Sequence, residues 1–378
     1  MSAKNKTTIA VVYNHFGEDF YEKIRDVDPD SLSFEPEYNI QVATVTEEYE
    51  AIANALREEG YEVSLLNINE DIQILINLLS KNPPDVVFNL IEFYRDDPAL
   101  EHLVAGLYAL YGVRFTGSGP FTLALCQRKG MTKQLLKANN VPTPRYKMLT
   151  ESKMPARHGL HYPMIVKPAR EDASSGVDKG SVVYSFEQLQ ERIQKTFEEY
   201  DPPILVEEFV EGRELHISIL GNDPPEVLPI TEFDFSELPE GYPNIISYDA
   251  KWNPLEESFH RVHAICPAKL TKRLEKKVKS AALAAYKITE CNDYARLDVR
   301  LTKDNKVFVL EVNPNPDLTE GVSFMESAEQ TGLTFGQTLA KIVECALSRP
   351  APSIPVLQKT TESIIPEKIV KDKQTENQ

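Results

Sequence analysis

Cysteine, basic charge and long apolar runs are all scarce in this chain, and each shortage excludes a class of protein. Only four of the 378 residues are cysteine, scattered without a CxxC pair, which argues against a zinc module or a disulfide scaffold. Acidic residues outnumber basic ones by 58 to 41, and the net charge of −17 argues against nucleic acid or an anionic membrane as the partner. No apolar run suits a signal peptide or a membrane span. We therefore expect a cytoplasmic protein of two or three domains.

The glycine fingerprint of dinucleotide-binding folds is also missing after the first predicted strand. Residues 1–128 nevertheless alternate strand and helix, with a helix-capping box at residues 44–47, and this predicts a parallel sheet covered on both faces. Ligands of such sheets bind at the carboxyl ends of the strands. Those ends carry a loop at residues 91–98 and a long acidic segment at residues 14–43, which we expect to be either functional or disordered.

From residue 129 the pattern changes to strands that carry single lysines and glutamates. A strand ending in Lys167 leads into a loop of small residues, PAREDASSG, whose backbone N–H groups suit phosphate. Ordinary glycine hairpins share these features, so both interpretations stay open at this point. Residues 350–378 are rich in proline and charge, and we expect a disordered or loosely docked tail.

Two strands joined by a tight turn form the most informative stretch of the chain. A two-residue turn at residues 304–305 would place Asp298 opposite Glu311 and Arg296 opposite Asn313. Facing carboxylates repel each other unless a cation lies between them, and no basic residue is interleaved at this pair. Carboxylate and amide oxygens suit Mg²⁺ or Mn²⁺ better than Zn²⁺. The alternative is a solvated surface hairpin whose charges never meet.

The pair His260 and His263 is a candidate zinc site by residue type alone. No cysteine or carboxylate stands at ligand spacing beside the two rings in the sequence. We therefore expect ordinary strand or surface histidines at both positions, and no role in metal binding.

Seven segments in a fixed order resemble the ATP-grasp superfamily, and most closely the D-alanine–D-alanine ligase family. The segments are FTGSGPFTLALCQRKGMTKQLLK, PMIVKPAREDASSG, ILVEEFVEGRELHISILG, SYDAKW, ARLDVRL, VLEVNPNPDLT and GLTFGQTLAKIVECA. The resemblance covers residues 85–348. It implies an α/β and α+β fold in which an N-terminal doubly wound parallel sheet domain precedes two α+β subdomains that sandwich ATP. The implied divisions are 1–128, 129–214 and 215–349, followed by the tail at 350–378.

The resemblance also implies which residues bind the nucleotide. The implied set is Lys133, Lys167, Ser174, Ser175, Glu207, Glu208, Phe209, Val210 and Glu214. Within it, the two lysines would hold the ATP phosphates, and the small-residue loop with its two serines would cover them. Glu207 and the backbone of residues 208–210 would read adenine, and Glu214 would bind the ribose.

The catalytic and metal-binding residues implied by the resemblance lie further along the chain. Lys251 would contact the γ-phosphate, and Arg296 would face the transferred phosphate and the tetrahedral intermediate. Asp298, Glu311 and Asn313 would ligate two Mg²⁺ ions, or Mn²⁺ in their place. Two adjacent cations are suited to neutralising a triphosphate during phosphoryl transfer.

The resemblance is weakest at the two amino-acid pockets of the family. The family's glycine-rich first loop, with a glutamate for the substrate ammonium, is absent, and the acidic segment stands in its place. Asp317 replaces a glycine after EVNPNP, and Val322-Ser323 stand where the family has a serine–leucine pair. We therefore expect intact nucleotide chemistry beside rebuilt substrate pockets.

The expected activity is an ATP- and Mg²⁺-dependent ligase that joins a carboxylate, from an amino acid, to an amine through an acylphosphate. The product would be a dipeptide or a peptide-like amide, and a homodimer is the family-level expectation. Two alternatives stay open. A phosphotransferase on the same fold would stop at a phosphorylated product, and a nucleotide-binding regulatory module would show no turnover.

Overall fold

The computed structural model describes residues 6–17 and 19–352, so the predicted tail falls largely outside the described residues. The first part of the chain forms an all-parallel sheet in the order β2-β1-β3-β4. Its strands are β1 Thr8–Tyr13, β2 Glu62–Asn67, β3 Val86–Asn89 and β4 Arg114–Phe115. The surrounding helices are α1 Phe20–Lys23, α2 Val45–Glu58, α3 Ile72–Lys81, α4 Glu101–Leu110 and α5 Pro120–Gln127. The parallel sheet predicted for this region is confirmed.

Helices cover both faces of this sheet because successive residues of β1 point to opposite sides. Ile9 and Val11 pack in one apolar cluster with α2, while Ala10 and Val12 pack in the other with α3 and α4. The predicted capping box opens α2, with Thr44 and Glu47 each bonding the other's backbone N–H. Within the described ranges, no helix has both the length and the apolar character needed to cross a bilayer.

The middle of the chain forms a small antiparallel sheet in the order β5-β8-β6-β7. Its strands are β5 Tyr146–Leu149, β6 Met164–Pro168, β7 Val182–Val183 and β8 Ile204–Glu208. Its helices are α6 Lys129–Ala138 and α7 Phe186–Glu199. Helix α7 is amphipathic, and Leu189 and Ile193 bury its apolar face against β6 and β8. The loop between β6 and β7 is the loop of small residues that follows Lys167 in the sequence.

The third part centres on a larger sheet in the order β12-β11-β9-β13-β14, with a short strand β10 paired to β9. Its strands are β9 Arg213–Leu220, β10 Glu226–Val227, β11 Thr231–Asp234, β12 His263–Ile265, β13 Tyr294–Leu301 and β14 Val307–Asn313. Its helices are α8 Tyr248–Trp252, α9 Glu257–His260, α10 Lys272–Ile288, α11 Ser323–Glu329 and α12 Phe335–Ser348. Strand β9 spans the predicted boundary between residues 214 and 215, and α12, which belongs to the third part of the chain, packs on the N-terminal sheet.

In the β13–β14 hairpin, Asp298 lies opposite Glu311 as predicted, but the turn and the pairing between the turn and this site differ from the prediction. The tip is a three-residue loop between Thr302 and Lys306, with Asn305 in the left-handed conformation at φ 61°, rather than the two-residue turn. A β-bulge then inserts one extra residue, Leu310, between the partners of Val299 and Asp298. The two deviations cancel, so Asp298 lies opposite Glu311.

The same bulge decides which side chains of β14 face the site. Simple alternation from Glu311 would put Val309 on the face of the carboxylate. Instead, Val307, Val309 and Val312 all pack in the apolar core beneath the sheet. Glu311 and Asn313 remain on the open side, because the extra residue reverses the alternation between Val309 and Glu311.

The described part of the acidic segment is ordered and docks on residues 252–263. The Tyr21 hydroxyl donates to the Trp252 carbonyl at 3.1 Å, and the Tyr38 N–H donates to Nδ1 of His260 at 3.0 Å. Tyr38 and Val42 also line the main cleft of the protein. Of the two predicted alternatives for this segment, the structure favours a place in the site over disorder.

Candidate active site

A cavity of about 620 Å³ lies between the middle sheet and the third sheet, with the N-terminal sheet at one end. Every residue that the resemblance implied lines this cavity, apart from Lys133. The lining members are Lys167, Ser174, Ser175, Glu207, Glu208, Phe209, Val210, Glu214, Lys251, Arg296, Asp298, Glu311 and Asn313. The side chains come from β6, β8, β9, β13 and β14, so two antiparallel sheets face each other across the space.

Lys133 is the exception, because it lies beneath the floor of the cleft. Its ammonium contacts Oε2 of Glu207 at 2.7 Å and donates to Oγ1 of Thr143 at 3.1 Å and to the Leu310 carbonyl at 2.9 Å. The side chain is 1% exposed, and burial lowers its pKa even though Glu207 opposes that shift. These contacts contradict direct phosphate binding by Lys133 and give it a structural role: it holds Glu207 and the bulge carbonyl together.

Lys129, one helical turn earlier, reaches the cleft that Lys133 does not. It opens α6, and its ammonium contacts Asp172 at 3.1 Å and Glu311 at 3.9 Å while donating to the Glu171 carbonyl. Burial lowers the pKa of Lys129, but the two carboxylates outweigh burial and raise it, so the side chain is charged. The sequence RKGMTK offers two lysines four residues apart, and spacing alone could not show which one faces the cleft.

Glu207 on β8 links the two lysines below and above it. Its carboxylate contacts Lys133 at 2.7 Å and Lys167 at 3.1 Å, and its side chain is almost fully buried. Burial raises the pKa of Glu207, yet the two ammonium groups outweigh burial and hold the pKa below its usual range. Glu207 therefore fixes Lys167 at the edge of the cavity, in addition to any contact with a nucleotide base.

Residues 208–210, whose backbone is predicted to contact adenine, are partly hydrogen-bonded to other parts of the protein. The Phe209 N–H donates to the Pro163 carbonyl at 2.9 Å, and Glu208 accepts from the His161 N–H at 2.9 Å. Val210 and the ring of Phe209 still line the cavity. These residues thus offer an apolar edge held rigidly by β6 and by the segment before it.

Glu214 on β9 forms a buried ion pair with Arg300, a residue that the sequence reasoning did not single out. Arg300 also donates to the Gly212 carbonyl at 3.1 Å, and its guanidinium lies 5.2 Å from the centre of the Phe209 ring. The alternation along β13 could have found Arg300, because it shares the face of Arg296 and Asp298.

The three residues predicted to bind metal lie together on the cleft wall, with one difference from the sequence-based expectation. Asp298, Glu311 and Asn313 all line the cavity, and the Asn313 amide donates to Asp298 at 3.2 Å. The sequence suggested that nothing cationic lies at this pair, but Arg296 donates twice to Asp298, at 2.8 and 3.1 Å. Burial raises the pKa of Asp298, and Arg296 outweighs burial and lowers it. Two carboxylates and an amide oxygen at a cleft wall fit a hard divalent ion.

Lys251 lies on the short helix α8 rather than on a mobile loop, with Ser247 capping the helix. Its ammonium sits 4.6 Å from the centre of the Trp252 ring, and burial together with Arg296 lowers its pKa. The Trp252 indole donates to the Ala173 carbonyl at 2.8 Å, and the Ser174 hydroxyl donates to the Ile246 carbonyl at 3.1 Å. The small-residue loop and the lysine helix therefore form one connected cover over the cleft.

The end of the cleft near the N-terminal sheet carries different chemistry. Glu92, after β3, and Asp317, after β14, both line the cavity. Burial in the cleft and the charge of Asp317 raise the pKa of Glu92 to about 7. Ser323 also lines this end, and its hydroxyl is 3.0 Å from Nδ1 of His216.

The two candidate zinc histidines have separate structural roles. His263 lies on β12, as expected of a strand histidine, and its ring is 3.7 Å from Glu37 and 3.4 Å from Glu237. His260, by contrast, is fully buried in α9 and lies between the Tyr38 N–H and the Pro254 carbonyl. The carboxylates near His263 come from distant parts of the chain, which local spacing could not reveal.

Known proteins are similar to this chain in both sequence and architecture. A family model described as D-ala D-ala ligase C-terminus matches residues 135–344. A D-alanine–D-alanine ligase of Carboxydothermus hydrogenoformans is 32% identical over 308 residues, which are 79% of this chain and 92% of the relative. A protein of Sinorhizobium fredii, y4sG, is 32% identical over 310 residues, covering 79% of this chain and 87% of the relative.

Solved structures agree on the fold. The D-alanine–D-alanine ligase of Bacillus anthracis superposes with a TM-score of 0.69 at 22% identity, covering 90% of this chain and 97% of the ligase. VanG, a D-Ala:D-Ser ligase of Enterococcus faecalis, gives 0.65 at 19% identity over 90% of this chain and 100% of VanG. The sequence relatives favour a ligase over a phosphotransferase or a regulatory module. The chain is a member of the D-alanine–D-alanine ligase family, an ATP-dependent carboxylate–amine ligase with the ATP-grasp fold.

Proposed function

We propose that this protein uses Mg²⁺ and ATP to activate the carboxylate of an amino acid and to join it to an amine. The observation that carries the proposal is the convergence of cations and oxygen ligands across one cleft. Lys129 and Lys167 lie on one wall, and Arg296 lies with Asp298 and Glu311 on the facing wall. Phosphoryl transfer needs such positioned charge on both sides of the transferred group.

The positions of the side chains in the cleft support the nucleotide roles that we propose. Lys129, in place of Lys133, and Lys167 hold the phosphates, with the loop of Ser174 and Ser175 above them. The remaining nucleotide roles stay as the resemblance implies them, for Glu207, Glu208, Phe209, Val210 and Glu214. Lys133 acts one step away, because it positions Glu207 and the Leu310 carbonyl.

The reacting end of the cleft is formed by residues of β13, β14 and α8. Asp298, Glu311 and Asn313 would hold Mg²⁺, or Mn²⁺, which would neutralise the charge of the triphosphate. ATP supplies the phosphoryl group that activates the substrate carboxylate, with ADP as the leaving group. The amine nitrogen then attacks the carbonyl carbon of the acylphosphate; phosphate leaves, and the amine loses a proton. Arg296 and Lys251 face the oxyanions that develop in these steps.

We do not propose D-alanyl-D-alanine as the product, although several relatives are named D-alanine–D-alanine ligase. The two amino-acid pockets depart from the family pattern, with Asp317 and Glu92 at the substrate end of the cleft. A dipeptide or a peptide-like amide of other amino acids fits the retained nucleotide chemistry and the altered pockets.

Replacement of Glu311 by Gln tests the assignment. We expect turnover to fall by about 10³-fold, because a carboxylate ligand becomes a neutral amide. The measurements are phosphate release across a panel of paired amino acids, Mn²⁺ binding by electron paramagnetic resonance, and circular dichroism to check the fold. Glu171→Gln changes a cleft carboxylate without a proposed metal role and should leave Mn²⁺ binding intact. Unchanged ADP release and Mn²⁺ affinity in Glu311→Gln would overturn the assignment.

We also propose that the protein is cytoplasmic and that it forms a homodimer, as expected of its family. All four cysteines are unpaired, as in reducing compartments. Leu103, Leu110 and Phe121 are exposed on the neighbouring helices α4 and α5 and offer an apolar contact surface. Sedimentation equilibrium of the wild type and of Leu110→Glu tests the dimer, which the variant should dissociate.

A further inference from the structure

Arg300 is a buried cation on the cleft face of β13, on the same side of the strand as Asp298. The pairing of β13 with β9 places Arg300 directly opposite Glu214, and both side chains line the cavity. The Arg300 and Glu214 side chains are only 3% and 9% exposed. Removing either member of so deep an ion pair would leave the other buried without a partner. The pair is therefore a fixed feature of the cleft wall.

The guanidinium group of Arg300 is held by several neighbours at once. Besides the carboxylate opposite, it donates to the Gly212 carbonyl at 3.1 Å and to the Asn244 carbonyl. It also lies 5.2 Å from the centre of the Phe209 ring and 5.9 Å from that of Phe235. A planar fork of N–H donors can serve these acceptors at fixed angles, whereas a lysine ammonium cannot. Arg300 is thus a rigid anchor for the carboxylate.

Glu214 uses only part of its carboxylate in the ion pair. Arg300 donates to Oε2, and among the described residues no other group donates to this side chain. A carboxylate can accept several hydrogen bonds through its two oxygens, so Oε1 is left as an acceptor for a molecule in the cavity. Because Arg300 already neutralises the charge, the group that donates to Oε1 need not be a cation. A neutral hydroxyl group satisfies it.

The place of the pair in the cleft suits the sugar of a nucleotide. The Phe209 ring lines the cavity among the residues proposed to contact adenine, and the same ring packs against Arg300. Ribose is joined directly to the base, so a carboxylate beside this ring is placed to meet the ribose hydroxyls. A deoxyribose would lack a donor there, and a buried acceptor without a donor is costly.

We propose that Arg300 is a positioning residue that fixes the Glu214 carboxylate to accept hydrogen bonds from the ribose of ATP, so that the pair selects ribonucleotides over deoxyribonucleotides. The proposal rests on the nucleotide-binding role of Glu214 proposed above. It adds Arg300 to the residues that determine nucleotide specificity, and it identifies the sugar as the part of the nucleotide that the pair recognises.

Nucleotides that differ only in the sugar test the proposal. Purified full-length protein with Mg²⁺ and a productive pair of amino acids is given ATP, 2′-deoxyATP or 3′-deoxyATP, and phosphate release is recorded. We expect kcat/KM for ATP to exceed that for at least one deoxy analogue by about 10- to 100-fold, mainly through KM. Equal values for the three nucleotides would overturn the proposal. No phosphate release with ATP and any pair of amino acids would overturn the ligase function instead.

Variants of Arg300 separate positioning from a merely structural role. Arg300→Met should reduce the preference for ATP to within about threefold by raising KM for ATP, with kcat little changed. Arg300→Lys keeps the charge without the fork and should restore part of the preference. Arg213→Met is the matched control, because it removes the neighbouring ion pair with Glu232, outside the cavity lining. Arg213→Met should retain the preference, and a wild-type preference in Arg300→Met would overturn the role of Arg300.

A double variant and a binding measurement guard against loss of the fold. Arg300→Met combined with Glu214→Gln removes both buried charges, so its melting temperature should lie closer to wild type than that of Arg300→Met alone. Calorimetry then compares ADP with 2′-deoxyADP and 3′-deoxyADP in the absence of turnover. The double variant should lose the same preference as Glu214→Gln, because the two residues act as one unit. Discrimination equal to wild type in the double variant would overturn the assignment of the ribose to this pair.

Discussion

The two ends of the cleft handle charge in opposite ways. At the nucleotide end, buried cations and carboxylates neutralise each other within the protein, as Lys133, Glu207 and Lys167 do in a line. At the substrate end, Glu92 and Asp317 face the cavity without a direct ion pair among the described residues, and only the more distant charges of Lys251 and Arg296 oppose theirs. The nucleotide end is preformed, because its cations and carboxylates neutralise each other before any ligand binds. At the second end, burial and the charge of Asp317 raise the pKa of Glu92 to about 7, against the opposing charges of Lys251 and Arg296.

The difference explains where the chain keeps the family pattern and where it departs. A self-neutralised network tolerates little change, because removing one member leaves a buried charge without a partner. Carboxylates that face the cavity can be gained or lost at smaller cost to the fold, and each change alters which molecule binds. Nucleotide chemistry and substrate choice are therefore separable in this structure, and the following variants test that separation.

Lys129→Met should produce the largest loss of activity. Lys129 is the cleft-facing lysine of α6, and its removal takes a fixed positive charge from the phosphate site. We expect kcat/KM for ATP to fall by about 10²- to 10³-fold with little change in stability. Steady-state kinetics and nucleotide binding measure the effect. Full activity in Lys129→Met together with an inactive, stable Lys133→Met would reverse the assignment of the two lysines.

Lys133→Met should instead mainly destabilise the protein. It leaves the buried Glu207 with one cationic partner and removes the donor to the Leu310 carbonyl. Removing one member of a buried ion pair costs about 3–5 kcal/mol. Urea denaturation measures the free energy of unfolding. The double variant with Glu207→Gln should recover part of that loss, and a stability equal to wild type in Lys133→Met would contradict the structural role.

His260→Ala should loosen the acidic segment without touching the nucleotide end. The change removes the acceptor of the part-buried Tyr38 N–H, a hydrogen bond that contributes about 0.5–1.5 kcal/mol. Hydrogen exchange should rise across residues 29–43, and KM for the amine should rise severalfold while KM for ATP stays within about twofold. His158→Ala, which removes a buried histidine that accepts from the Leu160 N–H instead, provides the control. Protection equal to wild type in His260→Ala would show that other contacts hold the segment.

Glu48→Gln should give the smallest effect and should depend on pH. Burial and Asp317 raise the pKa of Glu48 from 4.5 in the unfolded chain to about 8. The unfolded chain therefore releases this proton first, so Glu48 costs stability that grows above pH 4.5 and is complete above pH 8. Glu48→Gln should raise the melting temperature by a few degrees at pH 8 and by nothing measurable at pH 4.5. A larger gain at low pH would contradict the raised pKa.

Local pattern was enough to predict several parts of the site. Arg296 and Asp298 alternate with apolar Leu297 and Val299, and the strand does place the first two on the cleft and the others in the core. The capping box predicted the start of α2, because its partners are three residues apart. The joint order of the segments predicted the family and the fold. These features depend on neighbours in sequence, so the sequence carries them directly.

Other features depend on where distant segments meet, and only the tertiary structure decided them. Lys129 and Lys133 lie one turn apart on α6, and the contact with Glu207 shows which of them points away from the cleft. The bulge at Leu310 compensates for a longer turn, which alternation could not predict. The sequence alone determined that the chain is a nucleotide-dependent ligase of its family. The tertiary structure decided which lysine faces the cleft and brought Glu92 and Asp317 to the same cavity, because such arrangements of residues far apart in sequence arise only when the domains pack.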